Sequence, residues 1–430
     1  MNLQDRLKAL TCLLGPWSEL WSRSILQNWP ESGAAYPESW LLYAESLDEE
    51  GERMLDAGEL PGEPPRSLHS LVLGLRELTA LPWHEGVQRL TTADAQGLNA
   101  KKVHEIERVL SLLGPRTTAI RQAVDIGGGM GHLARLCVRT FDWTFHSIDR
   151  DAALQEKGRD WLRRARSLPR EKLCFIHASV EDTPQSGIDP LFSGQDRVSM
   201  GLHTCGPLAL TQIRKSQKAG LLLNFGCCYD QMDAARDYPV SRFGKAHAPP
   251  ITRRALFLAT RGRHHKTEAE FALMKRVNEQ RFALDLLLRR KFPALGFVPA
   301  GDAPKTLYAG SFAGYARDRL ERLRLDAGMT EAGLNSFEVS VRPETRRIFH
   351  CHLLRDRFAR ALEVVILLDR ALLLEEMGFQ VELLQVFEPR LSPRNIALIA
   401  SRADTERNPS HAKSCHGHRE SGARGSILES

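Results

Sequence analysis

Between Asp125 and Gly131 the chain reads Asp-Ile-Gly-Gly-Gly-Met-Gly, with glycine at four of five consecutive positions. Such a run lets the backbone turn through conformations that side chains forbid, and leaves a bare surface for a ligand lying close against it. It follows Gln122-Ala-Val-Asp125, which reads as a short strand, and precedes a helix over about Leu133 to Val138. The start of that helix offers unpaired N–H groups and the positive end of its dipole. A dinucleotide loop would need G-x-G-x-x-G to hold a pyrophosphate. Counted from Gly127 the sixth position is His132, and counted from Gly129 it is Ala134, so that pattern is absent. A second acid, Asp149 in His146-Ser-Ile-Asp149, stands 24 residues beyond Asp125 at the end of the next predicted strand. That is close to the spacing of about 20 residues for a carboxylate that takes ribose hydroxyls.

Further along, apolar stretches alternate with helical ones. Trp143 to Ile148 and Leu173 to His177 read as strands around a helix over Ala152 to Arg166. Val198 to Leu202 and Leu221 to Phe225 read as strands around a helix near Leu208 to Lys215. This alternation predicts a parallel sheet covered by helices on both faces. Val381 to Phe387 and Asn395 to Ala400, joined by Glu388-Pro-Arg-Leu-Ser-Pro-Arg394, read as an antiparallel hairpin that closes the sheet. The expected fold class is α/β and Rossmann-like, with seven mostly parallel strands and an antiparallel last strand.

The flanks have a different character. Residues 1–97 read as a helical region, with apolar residues at helical spacing through Leu13, Trp17, Leu20, Trp21 and Ile25. Pro61-Gly-Glu-Pro-Pro65 separates these from a helix over Leu68 to Leu78, and another spans about Lys101 to Leu113. The α/β domain is expected over 98–401, interrupted by a basic, largely helical insertion at 233–350. Within it, Tyr238 to Thr260 reads as loop and Glu268 to Lys291 as a long amphipathic helix; beyond it, roughly Arg355 to Met377 reads as a further helix. From Arg236 to Lys291 there are 14 Lys/Arg against 5 Asp/Glu. This excess is larger than the net charge of +6 of the whole chain, and the basic balance permits an anionic partner such as RNA without requiring one. Residues 402–430 are polar and aperiodic and read as a disordered tail. No signal peptide or membrane span is expected: Met1 to Leu20 carries Asp5, Arg6, Lys8 and Glu19, and no apolar stretch reaches 18 residues. The eight Cys are scattered without C-x-x-C, which points to a reduced, cytoplasmic protein.

In a doubly wound sheet the substrate lies at the carboxyl ends of the strands. Strand four ends in Gly201-Leu-His203-Thr-Cys205-Gly206 and strand five in Asn224-Phe-Gly-Cys227-Cys228-Tyr229. His203 has two readings, a general base or a histidine that ties neighbouring loops together. Cys205, Cys227 and Cys228 read as small thiols shaping a pocket, or as nucleophiles. Their spacing with His203 matches no familiar zinc pattern, so no metal centre is expected. Tyr229 either stacks on a planar substrate or packs. Lys101 and Lys102 read as cations at the mouth of the cleft or as a solvated helix start.

The order acid, then alternating glycines, over Asp125 to Gly131 resembles motif I of class I methyltransferases, whose loop cradles the methionine moiety of S-adenosylmethionine. That resemblance implies cofactor contacts from Asp125, Gly127, Gly129, Gly131 and Asp149. It places the adenine contact just past strand three, at Ser179 or among Val180, Glu181 and Asp182. Four segments together resemble the family of methyltransferase-like protein 25 and the ribosomal RNA adenine dimethylase domain-containing protein. They are Lys101-Lys-Val-His-Glu105, the glycine run, His203-Thr-Cys-Gly206 with Gly226-Cys-Cys-Tyr229, and Phe387-Glu-Pro-Arg-Leu-Ser-Pro-Arg-Asn395. Two positions depart from that family: Pro207 stands where Asp is usual and Asp230 where His is usual. The His-x-Cys-Gly segment and the Cys-Cys pair are also similar, more distantly, to eukaryotic tRNA ribose 2′-O-methyltransferases. After strand four there is neither the Asn/Asp-Pro-Pro-aromatic motif of amino-methylating enzymes that act on bases nor a Pro-Cys nucleophile.

The expectation is an S-adenosylmethionine-dependent methyltransferase acting on RNA or protein. His203, Cys205 and Tyr229 would stand at the transfer site, and Lys101, Lys102, Cys227 and Cys228 would stand toward the acceptor. An inactive adapter that keeps the fold, motivated by Pro207 and Asp230, and a small-molecule methyltransferase are the alternatives.

Overall fold

The computed structural model describes residues 1–164, 169–261 and 266–402. The tail expected at 402–430 lies, apart from Arg402, outside the described residues. Seven strands form one sheet: β1 (Gln122–Ile126), β2 (Thr144–Asp149), β3 (Leu173–His177), β4 (Gly194–Cys205), β5 (Ala219–Cys227), β6 (Gln380–Gln385) and β7 (Ile396–Ser401). Their order is β3-β2-β1-β4-β5-β7-β6. β1 to β5 pair in parallel, and β7 runs antiparallel to both β5 and β6. The sheet is the Rossmann-like arrangement expected from the sequence. Its order reverses between β1 and β4, and this opens a crevice at their carboxyl ends.

Strand alternation divides the interior. Leu221, Leu223 and Phe225 of β5 face one core, with Val198, Met200, Phe145 and the helix residues Ile106, Val109 and Leu110. Leu222 points the other way, into a larger core. That larger core holds Leu7, Trp21 and Trp40 from the first 97 residues together with Leu287, Phe349 and Leu362 from beyond β5. The amino-terminal helices and the insertion therefore bury one common interior and form a single helical body on one face of the sheet. Each large apolar side chain fully buried there contributes roughly 1.5–3 kcal/mol.

The helix Glu268–Lys291 has the limits predicted, because Thr267 and Glu270 form a capping box at its start. The loop expected over Tyr238 to Thr260 instead holds two helices, Arg242–His247 and Arg253–Arg261. Prolines 239, 249 and 250 punctuate this stretch without abolishing its helices, and Ala255, Leu256, Leu258 and Ala259 supply a buried face. A 25-residue helix, Glu331–Arg355, lies mostly within the stretch expected to be helical, but its limits are not marked in the sequence, and it carries Pro343 in its interior. The insertion's cations are largely used within the fold. Lys275 meets Glu52, Lys266 meets Asp56, Arg261 meets Asp356 and Arg290 meets Glu344, at 2.5 to 2.8 Å. No helix among the described residues is long and apolar enough to cross a membrane.

Candidate active site

The glycine run forms a cradle at the carboxyl end of β1. Gly127, Gly129 and Gly131 all take positive φ, at 72°, 55° and 72°. A Cβ at Gly127 would meet nothing within 4 Å, and one at Gly129 nothing nearer than 3.9 Å. At Gly128 a Cβ would strike Ser147 Oγ at 2.2 Å, and at Gly131 it would strike Phe175 at 2.6 Å. The first pair therefore lines open space, and the second pair lets the turn pack against β2 and β3.

Two carboxylates border this cradle. Asp149 accepts from the Gly129 N–H through Oδ2 and from the Asp151 N–H through Oδ1, both at 2.8 Å. Each carboxylate oxygen keeps a further acceptor site, and the side chain is only half-buried, so both can take hydroxyl protons. Asp125 is buried, and its Oδ1 has no hydrogen-bond partner among the described residues. Burial raises its carboxyl to about 7; the Lys102 charge opposes the rise and Asp149 adds to it. An unfilled buried acceptor beside open space suits a cationic donor. S-adenosylmethionine, with an ammonium group and a ribose diol, fits both carboxylates. His132, the first residue of the helix His132–Phe141, also lies at this turn. Its Nδ1 is buried without a partner, and burial lowers its pKa to about 4, which keeps the ring neutral. On sequence, His132 served only to exclude a dinucleotide loop.

β4 and β5 bring the second group of residues to the same end of the sheet. Beneath them a buried network fixes the strands: Asn224 Nδ2 donates to Thr204 Oγ1 and to Gln212 Oε1, each at 2.7 Å, and Gln212 Nε2 lies 3.2 Å from Ser199 Oγ. His203 takes a positive φ of 66°, a costly backbone state for a residue with a side chain. Its Nε2 lies 2.7 Å from Oε1 of Glu105. Glu105 is fully buried on the helix Ala100–Leu113. It also accepts from Ser392 Oγ at 2.8 Å, and Lys102 Nζ and Lys101 Nζ stand 3.1 and 3.7 Å from its oxygens.

Burial opposes ionisation of Glu105. The hydrogen bond and charge of His203, followed by Lys102 and Ser392, nevertheless hold its carboxyl at about 2. The two lysines thus neutralise a buried carboxylate, and Lys102 also reaches the field of Asp125 and His132. The arrangement orients His203 by a carboxylate and leaves its other ring nitrogen for an acceptor. Glu105 and Ser392 lie in segments singled out by the family resemblance, but neither carried a site role on sequence. They come from positions 98 and 189 residues away from His203, and no local pattern joins them.

The three thiols also converge. Cys205 and Cys227 are register partners on β4 and β5, with Sγ atoms 3.2 Å apart. Cys228, at φ 48°, turns its sulfur back so that all three lie within 4.8 Å of one another. Hydrogen bonding from Cys227 favours the thiolate of Cys205 and brings it down to about 6, while the same contact pushes Cys227 up.

Other expected residues are placed elsewhere. Tyr229 is 1% exposed, 3.4 Å from Glu363 through its hydroxyl and under the Arg370 guanidinium, so it packs and cannot stack on a substrate. Ser179 is exposed on a turn whose carbonyl accepts from Gln185, and Asp182 pairs with Arg214. No adenine contact is fixed there. Pro207 caps the start of the helix Leu208–Lys215, where no helical hydrogen bond needs its missing N–H. Asp230 is tied to Thr260 by its backbone N–H and by Oδ1, both at 2.9 Å. A separate cavity of about 270 Å³ lies in the helical body, lined by Asp56, Arg76, Lys266 and His352 among others and by no cradle residue.

Residues 101–235 match a protein-family model described as a methyltransferase domain. Similar solved structures include the methyltransferase domain of bacterial CtHen1-CN, at 14% identity over 28% of this chain and 63% of that one, with a TM-score of 0.22. A putative sarcosine dimethylglycine methyltransferase from Galdieria sulphuraria matches at 14% identity over 32% and 51%, with a TM-score of 0.24. Coclaurine N-methyltransferase bound to N-methylheliamine and SAH matches at 12% identity over 86% and 98%, with a TM-score of 0.26. The chain thus spans less than two thirds of the first two, and at these scores none of the three bears on its substrate.

Proposed function

Residues 101–235 carry a methyltransferase domain whose cradle fits S-adenosylmethionine, and from this we propose an active methyltransferase with an RNA or protein acceptor. The observation that carries the reading is the open cradle between Gly127 and Gly129, with the unpartnered Asp125 carboxyl and the outward-facing Asp149. Asp125 would hold the cofactor's ammonium and Asp149 its ribose hydroxyls; the bound cofactor supplies an electrophilic methyl group. His203, held by Glu105, orients an acceptor or takes its proton. Positioning of the two reactants contributes much of the rate. Kinship with the methyltransferase-like protein 25 family, supported by the hydrogen bond from Ser392 to Glu105 that joins two of the resembling segments, belongs to the same proposal, as does a cytoplasmic location.

The adapter reading draws on Asp230, which serves Thr260 rather than the crevice. Incubating the full chain with methyl-labelled S-adenosylmethionine and a cell extract separates the readings. Label is expected in RNA or protein, and it should be lost in Asp125→Ala and Asp149→Ala. Label confined to small molecules would replace the acceptor class, and no transfer at all would favour the adapter. An RNA acceptor further predicts binding that weakens steeply with salt.

A further inference from the structure

Cys205, Cys227 and Cys228 converge in the fold although their spacing along the chain gives no ligand pattern. Residues 22 and 23 positions apart form no familiar ligand motif. β4 and β5 are hydrogen-bonded neighbours, however, and their register puts Cys205 directly beside Cys227. The Gly206 N–H donates to the Cys227 carbonyl at 3.0 Å and locks the two ends together. Gly206 at φ 54° and Cys228 at φ 48° bend both chains immediately past the sulfurs. Left-handed backbone at a non-glycine residue is costly, and it persists where the surroundings enforce it, often at functional sites.

We propose that Cys205, Cys227 and Cys228 bind one zinc ion, with its fourth coordination position left to water or to the acceptor. Thiolates are soft ligands that select zinc among the abundant divalent ions. A tetrahedral centre with Zn–S bonds of about 2.3 Å places its sulfurs about 3.8 Å apart. The observed sulfurs, from 3.2 Å to within 4.8 Å of each other, bracket that separation, so side-chain rotations alone can form the site. Cys227 is buried, whereas Cys205 and Cys228 are half-buried, so an ion there would be held from below and remain reachable from the crevice. Three protein ligands with one open position is the pattern of reactive rather than purely structural zinc centres. Metal entry displaces the remaining thiol protons to solvent. Among the described residues, neither His203 nor Asp230 places a ligand atom within 4.8 Å of all three sulfurs, so the shell is drawn from the three thiols alone.

The test uses the full chain, purified under reducing conditions and dialysed against zinc, with metal content measured by mass spectrometry. One zinc per chain is expected. It should be lost in the Cys205→Ser/Cys228→Ser double variant, whose half-buried sites tolerate a hydroxyl, and retained in Cys12→Ser. Cobalt in place of zinc should give an intense sulfur-to-cobalt charge-transfer band that disappears in the double variant. Circular dichroism of the double variant must match the parent, which separates loss of ligands from loss of fold; if it does not, Cys205→Ser and Cys228→Ser singly serve the same purpose. Three outcomes would overturn the proposal: no zinc above the level of the double variant; a Cys205–Cys227 disulfide in the mass spectrum in place of metal; or zinc that persists in the double variant, which would assign it to tail residues such as His411, Cys415, His416 and His418.

Discussion

Two buried glutamates, each paired with a histidine, serve different parts of this molecule. In the helical body Glu52 and His350 are both fully buried, 2.9 Å apart, with Lys275 at 2.5 Å on the second carboxylate oxygen. At the strand ends Glu105 is equally buried, but its partner His203 keeps 24% of its side chain exposed. The outer nitrogen of His350 is sealed without a partner, whereas His203 borders the crevice. Inside the helical body the pair clamps the amino-terminal helices to the insertion. At the carboxyl ends of the strands the same chemistry presents a positioned imidazole to whatever occupies the crevice. What separates a clamp from a candidate base is the accessibility of one ring nitrogen.

Breaking the inner pair should have the larger effect. Glu52→Ala leaves Lys275 and His350 uncompensated in the interior and should cost about 3–5 kcal/mol of stability, read from urea unfolding. Methyl transfer by the fraction that remains folded should be unchanged. His203→Ala should do the reverse: a loss of about a hundredfold in transfer rate with a stability cost near 1 kcal/mol. Unaltered turnover would mean that positioning suffices and that His203 is only a tie between loops.

A further effect concerns acid. Glu105 has a folded value of about 2 against an ordinary 4.5, so its ionised form contributes stability that is fully present above 4.5 and lost as pH falls towards 2. Glu52 is shifted in the same direction. Glu105→Gln should flatten the acid arm of the stability profile, and a slope identical to the parent's would sever Glu105 from its proposed partners.

The sequence exposed what is local. The strand, glycine turn and helix around Asp125 to Gly131 are contiguous, and Asp149 follows at the end of the neighbouring strand, so both the sheet and its cradle could be read. The Glu105–His203 pair and the thiol cluster depend on which strands lie side by side, and periodicity does not carry that information. Tyr229 follows Cys228 directly, and the left-handed turn at Cys228 sends it into the core instead of the crevice. The limits of the helix Glu331–Arg355 were hidden for another reason. Pro343 breaks the helical pattern on paper, while Leu334, Val341, Ile348 and Phe349 bury enough surface to hold the helix through it.

The central claim is that the cradle holds S-adenosylmethionine through Asp125 and Asp149. Calorimetric titration of the full chain with that cofactor at about pH 5.5 and pH 7 tests it, because the cofactor's amino group stays largely protonated over this window. Asp125 must lose a proton to receive the ammonium, and its carboxyl sits at about 7. Binding should therefore tighten roughly tenfold from the lower pH to the higher, with the difference abolished in Asp125→Asn and binding itself lost in Asp149→Ala. An absence of binding heat at both pH values, or an affinity indifferent to both substitutions, would contradict the account.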